Sequence, residues 1–367
     1  MGAVWLARDT LLSRDVAVKQ VTSTEGLDTE TAEEVRERTL REGRNAAKLT
    51  HPHSIAMYDV AIESGEPWLV MEYFPARSLA QAMNLADTLP PLEVAQIGAQ
   101  IAAALTEAHA AGIVHRDIKP GNILIADRGK SLGTVKISDF GIARAKSDVS
   151  TQDEVITGTP AYFAPEVARG DDPTEASDVF SLGSTLYTVI EGQPPFGIDS
   201  DAIALLHRVA KAEIYRPTKS GPLTDVLLQL LEPDPTRRPT MAQARDALAA
   251  AATGGGTIEQ LIDAPVYSSE GAVPAWAHRT TQLADPHRRN RLTGSTITGL
   301  PAVQQNTPLR NVPSPMDMFS WPPRIPTGPA DASTRDKVVA WAPLAMTGMV
   351  AVIILAALIV VILVFTA

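Results

Sequence analysis

Two short runs restrict what this chain can fold into: His115-Arg116-Asp117-Ile118-Lys119-Pro120-Gly121-Asn122 and, a little downstream, Asp139-Phe140-Gly141. Between them, Ile123-Leu124-Ile125 and Val135-Lys136-Ile137 read as two short strands. The sequence therefore predicts a small sheet holding two loops, each of which presents a carboxylate. The residue types suit work on a metal-bound phosphate. Moving a γ-phosphoryl group needs little covalent help from protein, so catalysis comes from positioning a hydroxyl and neutralising charge spread over the phosphates. Asp117 is suited to accept the hydroxyl proton, and Lys119 to reach the γ-phosphate as a compact point charge. Asn122 and Asp139 supply hard oxygen ligands of the kind Mg²⁺ takes alongside phosphate oxygens, Asp139 being the stronger chelator. With Asp117 as base, His115 reads as a packing and hydrogen-bonding residue of the loop.

Further runs frame these two. Upstream, Val16-Ala17-Val18-Lys19 is an alternating strand ending in a lysine, and Glu42 lies in a charged helical stretch over residues 29–49. Downstream come Gly158-Thr159-Pro160-Ala161-Tyr162-Phe163-Ala164-Pro165-Glu166 and Asp234-Pro235-Thr236-Arg237-Arg238-Pro239. In this order, from Met1 to about Ala252, the chain resembles the Hanks-type serine/threonine protein kinases, the eukaryotic-like family also found in bacteria.

The resemblance implies a fold and a set of roles. The fold is α+β, with a small β-rich lobe and a large helical lobe, and it takes ATP with Mg²⁺, Mn²⁺ being an admissible replacement. Lys19 would bind phosphate and pair with Glu42. Val4, Ala17 and Leu124 would wall the adenine, with Met71 behind it and Glu72 to Phe74 as the hinge whose backbone hydrogen-bonds the base. Glu166 would pair with Arg238, Asp178 would hold the catalytic-loop backbone, and Thr159 would touch Asp117 and Lys119. Arg116, just before Asp117, would capture a phosphate on the loop between Asp139 and Glu166, where Thr151 and then Thr157 are the expected autophosphorylation sites. The Asp-x-Lys-Pro-x-Asn form of the loop points to Ser/Thr acceptors.

One departure stands against this pattern. The family's glycine-rich loop runs Gly-x-Gly-x-x-Gly-x-Val, and here only Gly2 and Val4 match its end, so the first strand and two glycines are missing. That removes backbone amides that cover phosphates and leaves the small lobe's sheet an unpaired edge. Two explanations compete. Either Met1 is an internal methionine of a longer product, or the chain is a degenerate kinase that acts as a membrane-tethered scaffold. The first is favoured because every other catalytic position is intact.

Coarse periodicity supplies the remaining elements. Strands are expected at residues 6–8, 16–21, 58–63 and 68–73. Pro91 opens a helix with Ile97, Ile101 and Leu105 on one face and Gly112 just past its end. Further helices are expected near 176–191, 199–211, 223–231 and 241–252. Thr253-Gly254-Gly255-Gly256 then marks a boundary, and residues 253–337, with eleven prolines, read as a disordered linker. Residues 338–367 carry no charge, and 344–365 alone give 22 residues, enough for a transmembrane helix. Arg335 and Lys337 flank it, which places the catalytic part in the cytoplasm. Membrane, protein substrates and the chain itself, by autophosphorylation or as a homodimer, are the expected partners.

Charge and cysteine usage exclude other classes. The chain carries a net −10, and its first 252 residues hold 24 basic against 35 acidic side chains, which argues against nucleic acid as a partner. There is no cysteine, so disulfides and thiolate metal sites are absent.

Overall fold

The computed structural model describes residues 4–20, 29–63, 65–140, 159–253, 257–266 and 274–277. A hairpin of β1 (Val4–Asp9) and β2 (Arg14–Gln20) opens the small lobe. Its turn is set by Asp9, whose carboxylate accepts the amides of Leu11 and Leu12 at 3.1 and 3.0 Å. Helix α1 (Thr29–Ala46) follows, then the antiparallel pair β3 (Met57–Glu63) and β4 (Glu66–Glu72). The sheet order is β1-β2-β4-β3, so β1 is an edge strand among the described residues. Period-2 alternation is clearest in β4, where Pro67, Leu69 and Met71 point inward. Helix α1 packs on β3 and β4, and it approaches so closely at Gly43 that a Cβ there would overlap Val60 Cγ2.

A second, three-stranded sheet joins β5 (Arg77–Ser78), β6 (Ile123–Ile125) and β7 (Val135–Ile137). Helix α2 (Leu79–Ala86) starts on a capping box. Ser78 Oγ accepts the Gln81 amide at 3.2 Å, and Gln81 Oε1 accepts the Ser78 amide at 2.9 Å. That Ser-x-x-Gln signature stands in the sequence, although the periodicity reading passed over the helix.

The large lobe is built around α3 (Pro91–Ala110). The expected stripe of Ile97, Ile101 and Leu105 is buried, but so are Val94, Ala95, Gly98, Gln100 and Ala104. The difference arises because α3 is enclosed on several sides, by α5 (Glu175–Glu191), α8 (Met241–Thr253) and α9 (Ile258–Asp263). A helix covered this way loses its amphipathic signature. The short α4 (Pro165–Ala168), α6 (Ala202–Lys211) and α7 (Thr224–Leu230) complete the lobe. Tyr162, Phe163, Phe180, Tyr187, Phe196 and Leu206 form a second apolar cluster between α5 and α6.

The stretch expected to be a linker from residue 253 begins instead with packed structure. After α8 the chain forms α9, and Val266 and Trp276 are buried in the same core as α3. Composition over the whole stretch is dominated by proline, and that masks two apolar residues near its start. Fully burying a side chain of this kind contributes about 1.5–3 kcal/mol. At Gly133, with φ +81°, a Cβ would lie 2.6 Å from the Val266 carbonyl oxygen, so glycine is required for both the turn and the contact. Among the described residues no helix is long and apolar enough to cross a membrane. The uncharged run 338–367 lies outside them, as do Gly2, Thr151 and Thr157.

Candidate active site

The loop between α3 and β6 carries Asp117, Lys119 and Asn122, and the end of β7 carries Asp139. Long-range contacts tie both down. Asp178, in the first turn of α5, accepts the His115 amide at 2.7 Å and the Arg116 amide at 2.9 Å, and its Oδ2 also lies 2.8 Å from His109 Nε2. These bonds hold a backbone in which Arg116 sits at φ +66°. A β-carbon makes that left-handed conformation costly unless the surroundings enforce it. The resemblance implied this role for Asp178, and the geometry shows it.

His115 is wholly buried, and burial pushes its imidazole below the ordinary histidine range, against the opposing pull of Asp178 and Asp117. Its Nδ1 accepts the Asp117 amide at 3.3 Å, so Nε2 carries the proton and donates to the Ser138 carbonyl at 3.0 Å. The ring also packs on Phe140 with centroids 4.6 Å apart. His115 thus joins the catalytic loop to the residue before Asp139 as a neutral structural group.

The four polar residues of the two runs converge. Asn122 Nδ2 donates to the Asp117 carbonyl at 2.7 Å and to its Oδ2 at 2.9 Å. Lys119 Nζ lies 2.8 Å from the same Oδ2. Asp117 is thereby fixed by two donors, while Asn122 keeps its Oδ1 for a cation. Asp139, at φ +60°, is bonded through its carboxylate to Lys19 of β2 and, at 3.5 Å, to Ser138 Oγ. The Ser138 amide and hydroxyl both donate to the Asn122 carbonyl, at 2.9 and 3.2 Å, which keeps the two loops in register.

One amide oxygen and one carboxylate, Asn122 and Asp139, form a small donor set. That is the composition expected where Mg²⁺ takes its remaining ligands from phosphate and water. Among the described residues there is no cluster of three or more His, Cys, Asp or Glu arranged to hold a metal.

Glu42 is placed differently from the expected pairing. It lies on α1 beside a cavity of about 310 Å³ lined by Arg38, Arg41, Asn45, Arg116 and Phe140. Among the described residues, the ion-pair partner of Lys19 is Asp139.

The residues expected to wall the adenine differ in burial. Ala17 of β2 pairs across the sheet with Met71 of β4 and is half-buried, Met71 is buried, and Leu124 of β6 is half-buried. Val4, on the edge strand, is exposed. Glu72, where the hinge is expected to begin, is anchored by its side chain: its Oε2 accepts the Ala56 amide at 3.2 Å and Lys136 Nζ at 3.0 Å. Lys136 also lies over the Phe74 ring, 5.6 Å from its centroid. Sequence reasoning missed this Lys136 brace between the sheets, because a strand lysine usually faces solvent. Thr159 precedes the 3₁₀ turn Pro160–Tyr162, with its carbonyl accepting the Tyr162 amide at 3.2 Å.

At the end of the 159–166 stretch, Glu166 and Arg238 form a bidentate pair. Burial drives the Glu166 carboxyl upward, but the Arg238 guanidinium, with Ser177 Oγ at 2.8 Å, outweighs it and holds the group below the usual carboxylate range.

Known proteins share this arrangement. The family model for the protein kinase domain matches residues 1–248. Serine/threonine-protein kinase PknB of Mycobacterium leprae is 37% identical over 249 residues, which cover 65% of this chain and 39% of that protein. Serine/threonine-protein kinase PrkC of Bacillus subtilis is 35% identical over 252 residues, covering 67% and 38%. The chain thus spans less than half the length of these curated relatives. Among solved structures, that of Rad53 1–466 in complex with AMP-PNP superposes with a TM-score of 0.55 at 27% identity, covering 67% of this chain and 61% of that one.

Proposed function

The chain belongs to the protein kinase family, and on that footing we propose that it transfers the γ-phosphoryl group of ATP to serine or threonine hydroxyls, on itself and on other proteins. The observation that carries this is the convergence of Asp117, Lys119 and Asn122 on one another within a loop braced by Asp178. The relatives are named serine/threonine kinases, and AMP-PNP occupies the solved homologue.

The residues divide the work. An acceptor hydroxyl at Asp117 Oδ gives up its proton there as its oxygen bonds to the γ-phosphorus. The bond from that phosphorus to the β–γ bridging oxygen breaks, and the electron pair leaves with ADP. Lys119, beside Asp117, neutralises charge on the transferring group. Asn122 Oδ1 and the Asp139 carboxylate would hold Mg²⁺, which when bound offsets the charge of the β- and γ-oxygens. Nucleotide binding would replace the Lys19–Asp139 contact, giving Lys19 to phosphate and Asp139 to the cation. Ala17, Met71 and Leu124 would flank the base, Val4 would cover it from the edge strand, and the Glu72 to Phe74 backbone would hydrogen-bond it. Glu42 would come to Lys19 by a movement of α1.

Regulation and location extend the same reading. Thr151 and Thr157 are the proposed autophosphorylation sites. The uncharged run 338–367, preceded by Arg335 and Lys337, is the proposed membrane anchor, with the kinase domain on the cytoplasmic side.

The test is direct. Purified protein incubated with labelled ATP and Mg²⁺ should incorporate label on serine and threonine, and Asp117→Asn should lower incorporation by about 10²–10⁴-fold. Equal labelling of the two proteins would sink the assignment and favour a non-catalytic scaffold.

A further inference from the structure

The segment that follows α8 does more than cover apolar surface. Gln96 and Gln100, one turn apart on α3, aim their amide nitrogens at the C-terminal carbonyls of α9 and the residues after it. Gln100 Nε2 donates to Ala264, Ile262 and Leu261 at 2.6, 3.0 and 3.3 Å, and Gln96 Nε2 to Ala264 at 3.1 Å. The carbonyls that a helix end leaves without partners are thus satisfied by another element. The Val266 amide donates to the Gly133 carbonyl at 2.8 Å, in the turn between β6 and β7. Trp276 is buried and donates through Nε1 to Glu93 in the first turn of α3 at 3.2 Å.

Besides the Val266–Gly133 bond, this docking reaches the strand before Asp139 through His53. His53, in the connection from α1 to β3, sits between two segments: its Nδ1 lies 2.7 Å from the Val135 carbonyl oxygen and its Nε2 2.8 Å from that of Ile262. The His53 connection is itself laced to β7. Ile137 N donates to His53 O at 2.9 Å, Ile55 N to Ile137 O at 2.9 Å, and Lys136 Nζ to Ser54 O at 3.1 Å. Ile137 lies two residues before Asp139, and His53 lies on the path that leads back to α1 and Glu42.

We propose that residues 257–266, with 274–277, form a latch that positions the α1–β3 connection against β7, and so sets the placement of Asp139 for nucleotide. Displacing the latch loosens the His53 connection and lowers affinity for ATP. The effect on ATP rests on the kinase reading above; the mechanical coupling does not.

Hydrogen exchange of the full chain separates the two. Gln96→Ala/Gln100→Ala should raise exchange in residues 257–266 and also in 51–56 and 133–139, by about fivefold or more for the loss of bonds of this kind. Helix α5 should stay unchanged, and the KM for ATP should rise with a smaller change in kcat. Faster exchange confined to 257–266, with 51–56 and 133–139 unaltered, overturns the latch. If α5 also opens in the double variant, Trp276→Phe, which keeps a buried ring while removing the bond to Glu93 and part of the indole's volume, decides by the same comparison. Spread of exchange to 133–139 in a protein that labels no substrate would leave the latch standing and remove the kinase assignment.

Discussion

Arg238 and Glu166 meet through two parallel hydrogen bonds, Nη1 to Oε1 at 2.6 Å and Nη2 to Oε2 at 2.7 Å, although they stand 72 positions apart in the chain. The Arg238 side chain is fully buried and also donates from Nε to the Glu232 carbonyl at 2.7 Å and from Nη1 to the Ala176 carbonyl at 3.0 Å. The pair therefore fastens α4, just after the 159–164 stretch, to the segment between α7 and α8.

Removing one partner strands the other. Arg238→Ala should cost about 3–5 kcal/mol in denaturant unfolding, because Glu166 is left charged and buried. Arg238→Lys should recover only part, since an ammonium cannot make both parallel bonds. A loss under about 1 kcal/mol for the alanine variant would show that the pair carries little.

The same pair gives a sign for acid sensitivity. The Glu166 carboxyl titrates below its unfolded value, so its contribution is present above about pH 4.3 and is lost as pH falls through the folded value. Glu166→Gln should be less stable than the parent at pH 7. The gap should narrow as pH falls below about 4, read from melting temperatures across that range.

Glu93 behaves in the opposite sense. Burial raises its carboxyl above the usual range despite the Trp276 bond, so the folded chain keeps this proton to higher pH than the unfolded chain does. Stability then falls as pH rises through that window. In Glu93→Gln, which still accepts from Trp276, the melting temperature relative to the parent should climb between about pH 4 and pH 7. A constant offset would contradict the assignment.

Asp178 is the brace of the catalytic loop. Asp178→Asn keeps the shape but has one acceptor oxygen for two backbone amides and a histidine, so Arg116 is no longer held at positive φ. Phosphoryl transfer should fall by about 10²-fold, the scale of a misplacement near 1 Å. The comparison to make is kcat for parent and variant at saturating ATP.

Gly43 measures how tightly α1 sits. A methyl group there overlaps Val60 on β3, so Gly43→Ala should destabilise by about 1–3 kcal/mol, as overpacked sites do. Because the helix must shift, the neighbouring Glu42 should show altered exchange across residues 38–46. An unchanged melting temperature would mean that the contact relaxes freely.

The division between what was readable in the chain and what was not follows range. The catalytic run, the two strands after it and the Asp139 loop lie within a few turns of chain, and local spacing alone brings Asp117, Asn122 and Asp139 to one sheet edge. Buried strands and amphipathic helices announce themselves through periods of 2 and 3.6 because one face of each meets the core. The amino-acid sequence by itself thus determined the two lobes, most of their longer elements and the donor groups. Helix α2 was signalled by its capping box, yet it was short and half-buried, and periodicity missed it.

Tertiary structure decided which surfaces meet. Lys19 paired with Asp139, a contact between residues 120 apart, rather than with the glutamate of α1. Gln96 and Gln100 became caps for a helix more than 150 residues downstream, and with them Val266 and Trp276, in a proline-rich stretch, joined the same core. Neither shows in local pattern, because a side chain's period records that it is buried and never what covers it.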